Sequence, residues 1–369
     1  MANISTPCSP PFHVIALDMD GTLLNPDHEI TDFTKKTIQD VVAKYPTQVF
    51  VALASGRHYA DLKPILDSLE LPEESGAIIA CNGACAYAFN TNNAFNEKDK
   101  VNEEQKVHPD RKLKCDLIQI RNVCIPPESV CQVLSMWLNF DNKDINLHIY
   151  QNDHWLCAME EKEILEYSNI SGFVYELCNL SELVQAYNEH QKLSLGACGD
   201  DSTSDGYNST SPINPLDGIP KIFVSSKNPE LLAEFRSRVQ AAIPCLSLTF
   251  SSKCFLEIMG TDVSKFTGLQ SLMPHVQAYA ATKKSVGDSK DNKTGKTEGQ
   301  SEAPWTVESV CLAFGDNEND VSMIRNAARG CLMGNGPEAL KESLKNDVVV
   351  VGTNYEDGVA HELKKIFNV

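Results

Sequence analysis

Three short apolar runs along this chain each end abruptly at a polar residue. They are residues 14–17 before Asp18, residues 49–54 before Ser55, and residues 310–314 before Gly315-Asp316. A run of this kind is typical of a buried parallel strand that leads into a loop. Because the carboxyl ends of parallel strands meet at one sheet edge, where α/β proteins bind ligands, Asp18, Ser55 and Asp316 are predicted to lie close together.

Further apolar runs alternate with helix-like stretches in the same way. The strand-like runs are residues 77–80, 330–333 and 348–351, and the helix-like stretches include residues 31–44 and 320–328. This alternation predicts a parallel α/β sheet. The region between the second and third runs has strand signals of its own, at residues 117–120, 147–150, 221–225 and 255–259, with a helical piece at 130–138. We interpret this region as an inserted α+β domain.

The predicted domain boundaries follow from these runs. Residues 1–84 and 256–369 are predicted to form the core, and residues 85–255 the inserted domain. Three polar stretches without periodicity are predicted to be surface loops, and they are residues 90–112, 199–214 and 283–304. Docking or modification segments are the alternative interpretation of these stretches.

Composition restricts the class of partner. The 369 residues include 50 acidic and 32 basic side chains, a net charge of −18, whereas nucleic acids and anionic membranes are bound by clustered Lys and Arg. Neither partner is therefore expected. The first residues lack the pattern of a signal peptide and no apolar run is long enough for a membrane span, so we predict a cytoplasmic protein. The oligomeric state is left open.

The cysteines do not predict a disulfide framework or a zinc site. There are 13 of them, an odd number spread along a long chain without an export signal, which is typical of buried or idle thiols. Cys81 and Cys85 have a spacing that could suit zinc, but no second pair or nearby histidine pair completes four ligands.

The segment Asp18-Met19-Asp20-Gly21-Thr22 places two carboxylates directly after a predicted buried strand. One carboxylate could attack phosphorus to form an aspartyl phosphate. The other could protonate the leaving oxygen and later activate water. A solvated acidic turn explains the segment equally well when it is taken alone, since Asp and Gly are common turn residues.

A second acidic segment, Gly315-Asp316-Asn317-Glu318-Asn319-Asp320, also follows a predicted buried strand. Its oxygens are the hard ligands that Mg²⁺ prefers. We predict that Mg²⁺ is bound by Asp18 and Asp316 with the backbone carbonyl of Asp20, while Asn319 and Asp320 orient the phosphate and the surrounding groups. Acidic residues at a helix N-terminus are the alternative interpretation.

Two further residues could hold a phosphate. Ser55, followed by Gly56, offers a hydroxyl and backbone amides, although it could simply cap the next helix. Lys265 opens a helix-like stretch, where its ammonium could neutralise a phosphoryl group beside the positive end of the helix. A lone lysine is more often a solvated surface residue.

Taken together and in this order, the four segments resemble the motifs of the haloacid dehalogenase-like (HAD) superfamily. The Cof-like branch is matched more narrowly by the segments Leu53-Ala54-Ser55-Gly56-Arg57, Cys81-Asn82-Gly83-Ala84, Phe255-Leu256-Glu257-Ile258, Val263-Ser264-Lys265, Met333-Gly334-Asn335 and Asn354-Tyr355-Glu356-Asp357-Gly358-Val359-Ala360. The resemblance implies an α/β fold, with a Rossmann-like parallel-sheet core and an inserted α+β cap that closes over the substrate.

The same resemblance implies Mg²⁺-dependent hydrolysis of a small phosphorylated metabolite, such as a sugar phosphate or a related phosphomonoester. Asp18 would be the nucleophile and Asp20 the acid/base. The metal residues would be Asp18, Asp20 and Asp316, with Asp320 in support. The implied phosphate and substrate residues are Thr22, Ser55, Gly56, Arg57, Asn82, Gly83, Lys265 and Asn319.

Four alternatives to a phosphatase remain at this stage. A phosphomutase would pass the phosphoryl group to a sugar hydroxyl, and a dehalogenase would not need Asp20. A transport ATPase would need membrane helices, and a binding protein could keep the fold without the chemistry. His148, Tyr150 and Trp155 are candidate substrate contacts in the inserted domain, although such side chains on a strand are more often part of a core.

Overall fold

The computed structural model describes residues 9–89, 117–140, 144–196, 213–288 and 303–369. The strands are β1 Val14–Leu17, β2 Phe50–Ala54, β3 Gly76–Ala80, β4 Cys85–Phe89, β5 Leu117–Asn122, β6 Asn146–Gln151, β7 His154–Cys157, β8 Tyr175–Leu177, β9 Lys221–Ser225, β10 Ser247–Ser252, β11 Phe255–Met259, β12 Cys311–Gly315, β13 Arg329–Leu332 and β14 Val349–Val350. The helices are α1 Asp32–Lys44, α2 Tyr59–Ser68, α3 Pro127–Leu138, α4 Lys162–Ser171, α5 Leu180–Gly196, α6 Pro229–Ala242, α7 Lys265–Asp288, α8 Val307–Val310, α9 Val321–Asn326, α10 Glu338–Leu344 and α11 Gly358–Phe367.

The chain divides into two compact units, Met1–Asn122 with Val263–Val369, and Val123–Asp262. The first unit contains an eight-stranded sheet in the order β14-β13-β12-β1-β2-β3-β4-β5. The strands from β14 to β3 pair in parallel, whereas β4 pairs antiparallel with both β3 and β5. The predicted α/β class with a parallel-sheet core is confirmed.

The central strands of this sheet are apolar throughout because both of their faces are covered. Every residue of β1, β2, β3 and β12 is buried. Helix α7 packs on one face, where Leu269, Leu272 and Val276 contribute to a core shared with residues of β1, β2 and β12. A strand buried on both faces shows a continuous apolar run rather than an alternating one. For this reason these strands could be predicted from the sequence.

The second unit contains a six-stranded sheet in the order β10-β11-β9-β6-β7-β8. Its pairs are antiparallel except for β7 with β8. Apolar residues of α3 and α6 form a core with one face of this sheet, to which Ile149, Val224 and Ile258 contribute. This unit is the inserted α+β domain that the alternating runs predicted.

The unit boundaries differ from those expected from the sequence, which placed residues 85–255 in the insertion. Strands β4 and β5 extend the first sheet, so the run at 117–120 belongs to the core. At the other boundary, β11 pairs with β9 and β10 in the second sheet, so the core resumes at Val263 and not at residue 256. Alternation shows that a strand is present, but hydrogen bonding between distant segments decides which sheet it joins.

Most of the three polar stretches lies outside the described residues. Residues 90–112, 199–212 and 289–302 fall there, so the expectation of surface loops is untested for them. The third stretch was expected to begin at residue 283, but α7 continues to Asp288. In the part of the chain that the structure describes, no helix has both the length and the apolar character to cross a membrane.

Candidate active site

Asp18 is buried at the carboxyl end of β1. The backbone holds it there, because its amide donates to the carbonyl of Phe314 on β12 at 3.1 Å. Its side chain is only 7% exposed, and its Oδ1 accepts a hydrogen bond from Nζ of Lys265 at 2.5 Å. The first acidic segment is therefore not a solvated turn at Asp18, since this carboxylate lies in the interior of the first unit.

Lys265 is the first residue of α7 and is fully buried. Its ammonium also donates to Oδ1 of Asp320 at 2.6 Å. The other oxygen of Asp320 accepts from the amides of Asp316 and Asn317, at 3.0 and 3.1 Å. Burial lowers the pKa of Lys265, but the two carboxylates outweigh this effect and raise it. Lys265 is thus a permanent buried cation and not a solvated surface lysine.

Three carboxylates form a cluster around this lysine. One oxygen from each of Asp18, Asp316 and Asp320 lies within 4.8 Å of the others. Burial and the neighbouring negative charges raise the pKa of Asp18 to about 7 and that of Asp316 to about 9. Both oxygens of Asp320 are already hydrogen-bonded, so Asp18 and Asp316 are the members best able to bind a cation. Crowded carboxylates with raised pKa values are a donor set that suits a hard divalent metal ion.

The Asp20 side chain lies apart from this cluster and is 49% exposed. Nε of Arg57 donates to its Oδ2 at 2.8 Å, and Nη2 of Arg57 donates to its Oδ1. The ring of His28 lies 3.6 Å from the same Oδ1. Partial burial raises the pKa of Asp20, but the contacts with His28 and Arg57 outweigh it and hold this pKa well below its usual range. The two carboxylates of the first segment therefore have opposite environments.

The loop after Asp20 packs against the second acidic segment. Gly21 has a φ of +81°, and a Cβ there would lie 2.5 Å from Oδ2 of Asp316, so only glycine fits. Oγ1 of Thr22 lies 3.5 Å from Oδ1 of Asp316. Nδ2 of Asn335 donates to the carbonyl of Gly21 at 2.8 Å, and Asn354 donates to that of Leu24 at 2.8 Å. These bonds connect the loop to the segments that follow β13 and β14.

The segments that follow β2 and β3 are also linked to each other. Oγ of Ser55 accepts from the amide of Arg57 at 3.2 Å, and the Ser55 carbonyl accepts from the amide of Asn82 at 2.9 Å. Asn82, with a φ of +54°, accepts from Nδ2 of Asn319 at 3.2 Å. Gly83 packs so tightly that a Cβ would lie 2.0 Å from the Ser264 carbonyl. The structure thus brings the predicted residues of all four motifs into one hydrogen-bonded network.

Comparison with known proteins agrees with this arrangement. The sequence model of the haloacid dehalogenase-like hydrolase family matches residues 15–111, 119–292 and 307–363, which is far more than half of the chain. The chain belongs to the haloacid dehalogenase-like hydrolase family. The predictions of this family and of an enzyme are therefore confirmed.

Individual family members are distant relatives over nearly the whole chain. An HMP-PP phosphatase from Serratia proteamaculans is 25% identical over 358 residues, which cover 96% of this chain and 94% of that protein. A HAD-like hydrolase from Bacteroides thetaiotaomicron is similar in structure, with 18% sequence identity and a TM-score of 0.59. The match covers 96% of this chain and 100% of that protein. A HAD subclass IIB sugar phosphatase is also similar in structure, with 16% sequence identity and a TM-score of 0.62. The match covers 96% of this chain and 99% of that protein. At these identities the structures establish a shared HAD fold.

Three residues of this HAD-like site were not assigned a role from the sequence. Asn335 and Asn354 lie in motifs that were recognised, but nothing in the pattern showed that they bind the loop after Asp20. His28 carried no signal, because its contact with Asp20 depends on a turn in which Asn25 accepts from the amides of Asp27 and Glu29, each at 2.9 Å. His28 has a φ of +61° in this turn.

The candidate substrate contacts of the second unit are buried within that unit. His148 stacks on Phe223 with 4.3 Å between ring centroids, and it accepts a hydrogen bond from Nε1 of Trp155 at 3.3 Å. Tyr150 packs edge-to-face on Trp155 at 5.9 Å. His148, Tyr150 and Trp155 are each at most 4% exposed. Their contacts are those of a packed aromatic cluster.

Proposed function

We propose that the protein is a Mg²⁺-dependent phosphatase that hydrolyses a small phosphorylated metabolite through an aspartyl phosphate on Asp18. The observation that carries the proposal is the contrast between the two carboxylates of one short segment. Asp18 is buried against Lys265, whereas Asp20 is half-exposed and is held by Arg57. Two carboxylates in such different environments suit two different roles, nucleophile and acid/base.

Each step has a side chain suited to it. Oδ2 of Asp18 is the oxygen not bonded to Lys265, and it attacks phosphorus while the bond to the leaving oxygen breaks. Asp20, once protonated, donates its proton to that oxygen. Asp20 then accepts a proton from water, whose oxygen attacks the phosphorus of the aspartyl phosphate and releases inorganic phosphate. Asp18 is regenerated, so the cycle balances.

Phosphate oxygens are assigned to groups around this reaction centre. Lys265 supplies a permanent positive charge at Asp18, and Ser55 supplies a hydroxyl and backbone amides. Thr22, whose hydroxyl lies 3.5 Å from Oδ1 of Asp316, and Asn319, which donates to Asn82, are assigned to the phosphate as well. The remaining assignments that follow the family motifs are Gly56, Asn82 and Gly83, whereas the guanidinium of Arg57 is bound to Asp20. These groups would stabilise the charge that develops on the transferring phosphoryl group.

Mg²⁺ is assigned to Asp18 and Asp316 together with the backbone carbonyl of Asp20. When bound, the ion would neutralise the charge of the carboxylates and polarise a phosphate oxygen. The donor set fits Mg²⁺ because all of these ligands are oxygens. The pKa values of Asp18 and Asp316 are raised, and a bound cation would lower them again. Asp320 stays with Lys265 as a supporting residue.

The proposed substrate is a sugar phosphate or a related phosphomonoester. The structural neighbour named a sugar phosphatase supports this class, and the relative named an HMP-PP phosphatase supports a small phosphorylated substrate more broadly. The net charge of −18 makes a nucleic acid or an anionic membrane a poor partner, and it is compatible with a cytoplasmic enzyme.

A phosphate-release screen tests the proposal. We expect the wild-type protein with Mg²⁺ to release phosphate from at least one member of a panel of sugar phosphates, nucleotides, polyol phosphates, phosphorylated vitamins and HMP-PP. Asp18→Asn should abolish release, and acid quenching of the wild type should trap a phosphorylated Asp18 peptide. Asp40→Asn, the same change at an exposed residue of α1 that pairs with Lys36, is the control and should remain active. Activity that persists in EDTA or in Asp18→Asn contradicts the mechanism.

A further inference from the structure

Arg57 holds Asp20 through both oxygens of its carboxylate. Nε of Arg57 donates to Oδ2 at 2.8 Å, and Nη2 donates to Oδ1. This is the bidentate pairing of a planar guanidinium with a planar carboxylate, which fixes the direction of the carboxylate as well as its position. A lysine ammonium at the same place would hold Asp20 as a point charge without fixing its plane.

Arg57 is the anchored member of this pair. Its amide donates to Oγ of Ser55 at 3.2 Å, and its carbonyl accepts from the amide of Cys81 at 2.9 Å. The Arg57 side chain is 14% exposed, whereas that of Asp20 is 49% exposed. A half-exposed carboxylate can adopt more than one rotamer, so its direction is set by the more buried guanidinium that binds it.

We infer that Arg57 is a positioning residue, which aims the carboxylate of Asp20 at the leaving-group oxygen, and that phosphate binding is left to the other residues of the site. The inference rests on the proposed function, since aim matters only if Asp20 transfers a proton. A general acid must lie within hydrogen-bond reach of the atom that it protonates, and small misplacements cost large factors in rate.

The dependence of kcat/KM on the leaving group separates the two roles of Arg57. This constant reports the steps up to departure of the leaving group. A nitrophenolate leaves without a proton, whereas an alkoxide or sugar oxygen needs one. A misdirected acid therefore slows only the esters with poor leaving groups, while a lost phosphate ligand slows every ester alike.

We expect Arg57→Lys to lower kcat/KM by about 10²-fold for alkyl and sugar phosphates, within the range that general acid catalysis contributes. The same variant should act on 4-nitrophenyl phosphate at close to the wild-type rate. Plotted against leaving-group pKa, log kcat/KM should thus fall more steeply than in the wild type. Arg57→Gln, which also loses the positive charge, should show the same steeper slope.

Three comparisons complete the test. Asp20→Asn gives the slope that results when the acid is absent, and adding Arg57→Lys to it should not steepen the slope further. Arg325→Lys makes the same change in another Arg–Asp pair, where Nε lies 3.0 Å from Oδ2 of Asp347, and should leave the slope unchanged. A cooperative thermal unfolding transition is measured for each variant to establish that it is folded.

The outcomes distinguish the inference from the function on which it rests. A loss of the same size for every ester in both Arg57 variants makes Arg57 a phosphate ligand and overturns the inference, as does an unchanged kcat/KM throughout. In either case a wild type that turns over leaves the proposed function standing. A wild type that releases phosphate from no ester overturns the proposed function, and this inference with it.

Discussion

Lys265 and Asp320 form an ion pair with 2.6 Å between Nζ and Oδ1, and neither side chain is exposed to solvent. The second oxygen of Asp320 is held by the amides of Asp316 and Asn317. Asp320 therefore connects the start of α7 to the loop after β12, and through Lys265 it reaches Asp18. This chain of contacts joins three motifs that are far apart in the sequence.

Replacing Asp320 by asparagine should damage both stability and activity. The change keeps the size of the side chain but leaves Lys265 with one of its two anionic partners. Breaking a buried pair in this way costs about 3–5 kcal/mol, and we expect a lower free energy of unfolding in urea together with reduced phosphate release. Asp67→Asn is the matched control, because Asp67 pairs with the buried Lys63 but is itself 21% exposed. An Asp320→Asn variant as stable as the wild type would contradict this account.

Gly21→Ala should disturb the proposed Mg²⁺ site. Its φ of +81° disfavours any side chain, and a Cβ would lie 2.5 Å from Oδ2 of Asp316. Such backbone strain costs about 1–3 kcal/mol, and the Asp316 carboxylate must move as well. We expect weaker Mg²⁺ binding by calorimetry and lower activity.

Gly218→Ala is the control for Gly21→Ala, because Gly218 has a φ of +72° and its Cβ would meet the side chain of Asn152. The second variant should show a similar loss of stability without the loss of Mg²⁺ affinity. Equal Mg²⁺ affinity in the two variants would mean that Gly21 does not shape the metal site.

Stabilisation by Mg²⁺ should increase with pH. The pKa values of Asp18 and Asp316 are about 7 and about 9 in the folded protein without metal, against 3.8 for an ordinary Asp. Between these values the folded protein binds more protons than the unfolded chain, so its stability falls as the pH rises. Mg²⁺ favours the charged carboxylates, and it should therefore raise Tm more at about pH 9 than at about pH 5.

Thermal unfolding with Mg²⁺ or with EDTA across this range measures the effect. The Asp316→Asn variant should show a smaller pH dependence of Tm in EDTA and a smaller gain in Mg²⁺. A Mg²⁺-induced shift of the same size at both ends of the range would contradict the assignment of Asp18 and Asp316 to the metal.

His148 should make the second unit sensitive to acid. Burial, together with the positive charge of Lys221, lowers its pKa from 6.5 to about 3. The unfolded chain then binds a proton that the folded one does not, so stability is lost as the pH falls from 6.5 toward 3. When the pH is lowered, tryptophan fluorescence should show that the wild type unfolds at a higher pH than His148→Gln. His154→Gln, at a 62% exposed position on β7, should behave like the wild type.

The elements of the core could be predicted because burial leaves a mark on the sequence. Strands β1, β2 and β12 are buried on both faces, so each appears as an unbroken apolar run followed by a polar residue. The prediction went wrong at β5, which carries a real strand pattern but was assigned to the inserted domain, and at the second boundary, which was placed inside β11 at residue 256. The assignment of these strands depends on hydrogen bonds to strands distant in the sequence, and a period of two does not specify a partner.

By itself, the sequence determined which residues are available to react and in what order they occur. Asp18, Asp20, Lys265 and Asp316 were recognised from their motifs, and each follows a strand or begins a helix. Only the tertiary structure decided the environment of each charge. In the folded protein Lys265 is buried between Asp18 and Asp320, and Asp20 forms an ion pair with Arg57. The reason is physical, because the pKa of a side chain and the direction in which it points depend on the groups that folding brings next to it. Asp18 and Asp20 are only two residues apart, yet their pKa values are shifted in opposite directions.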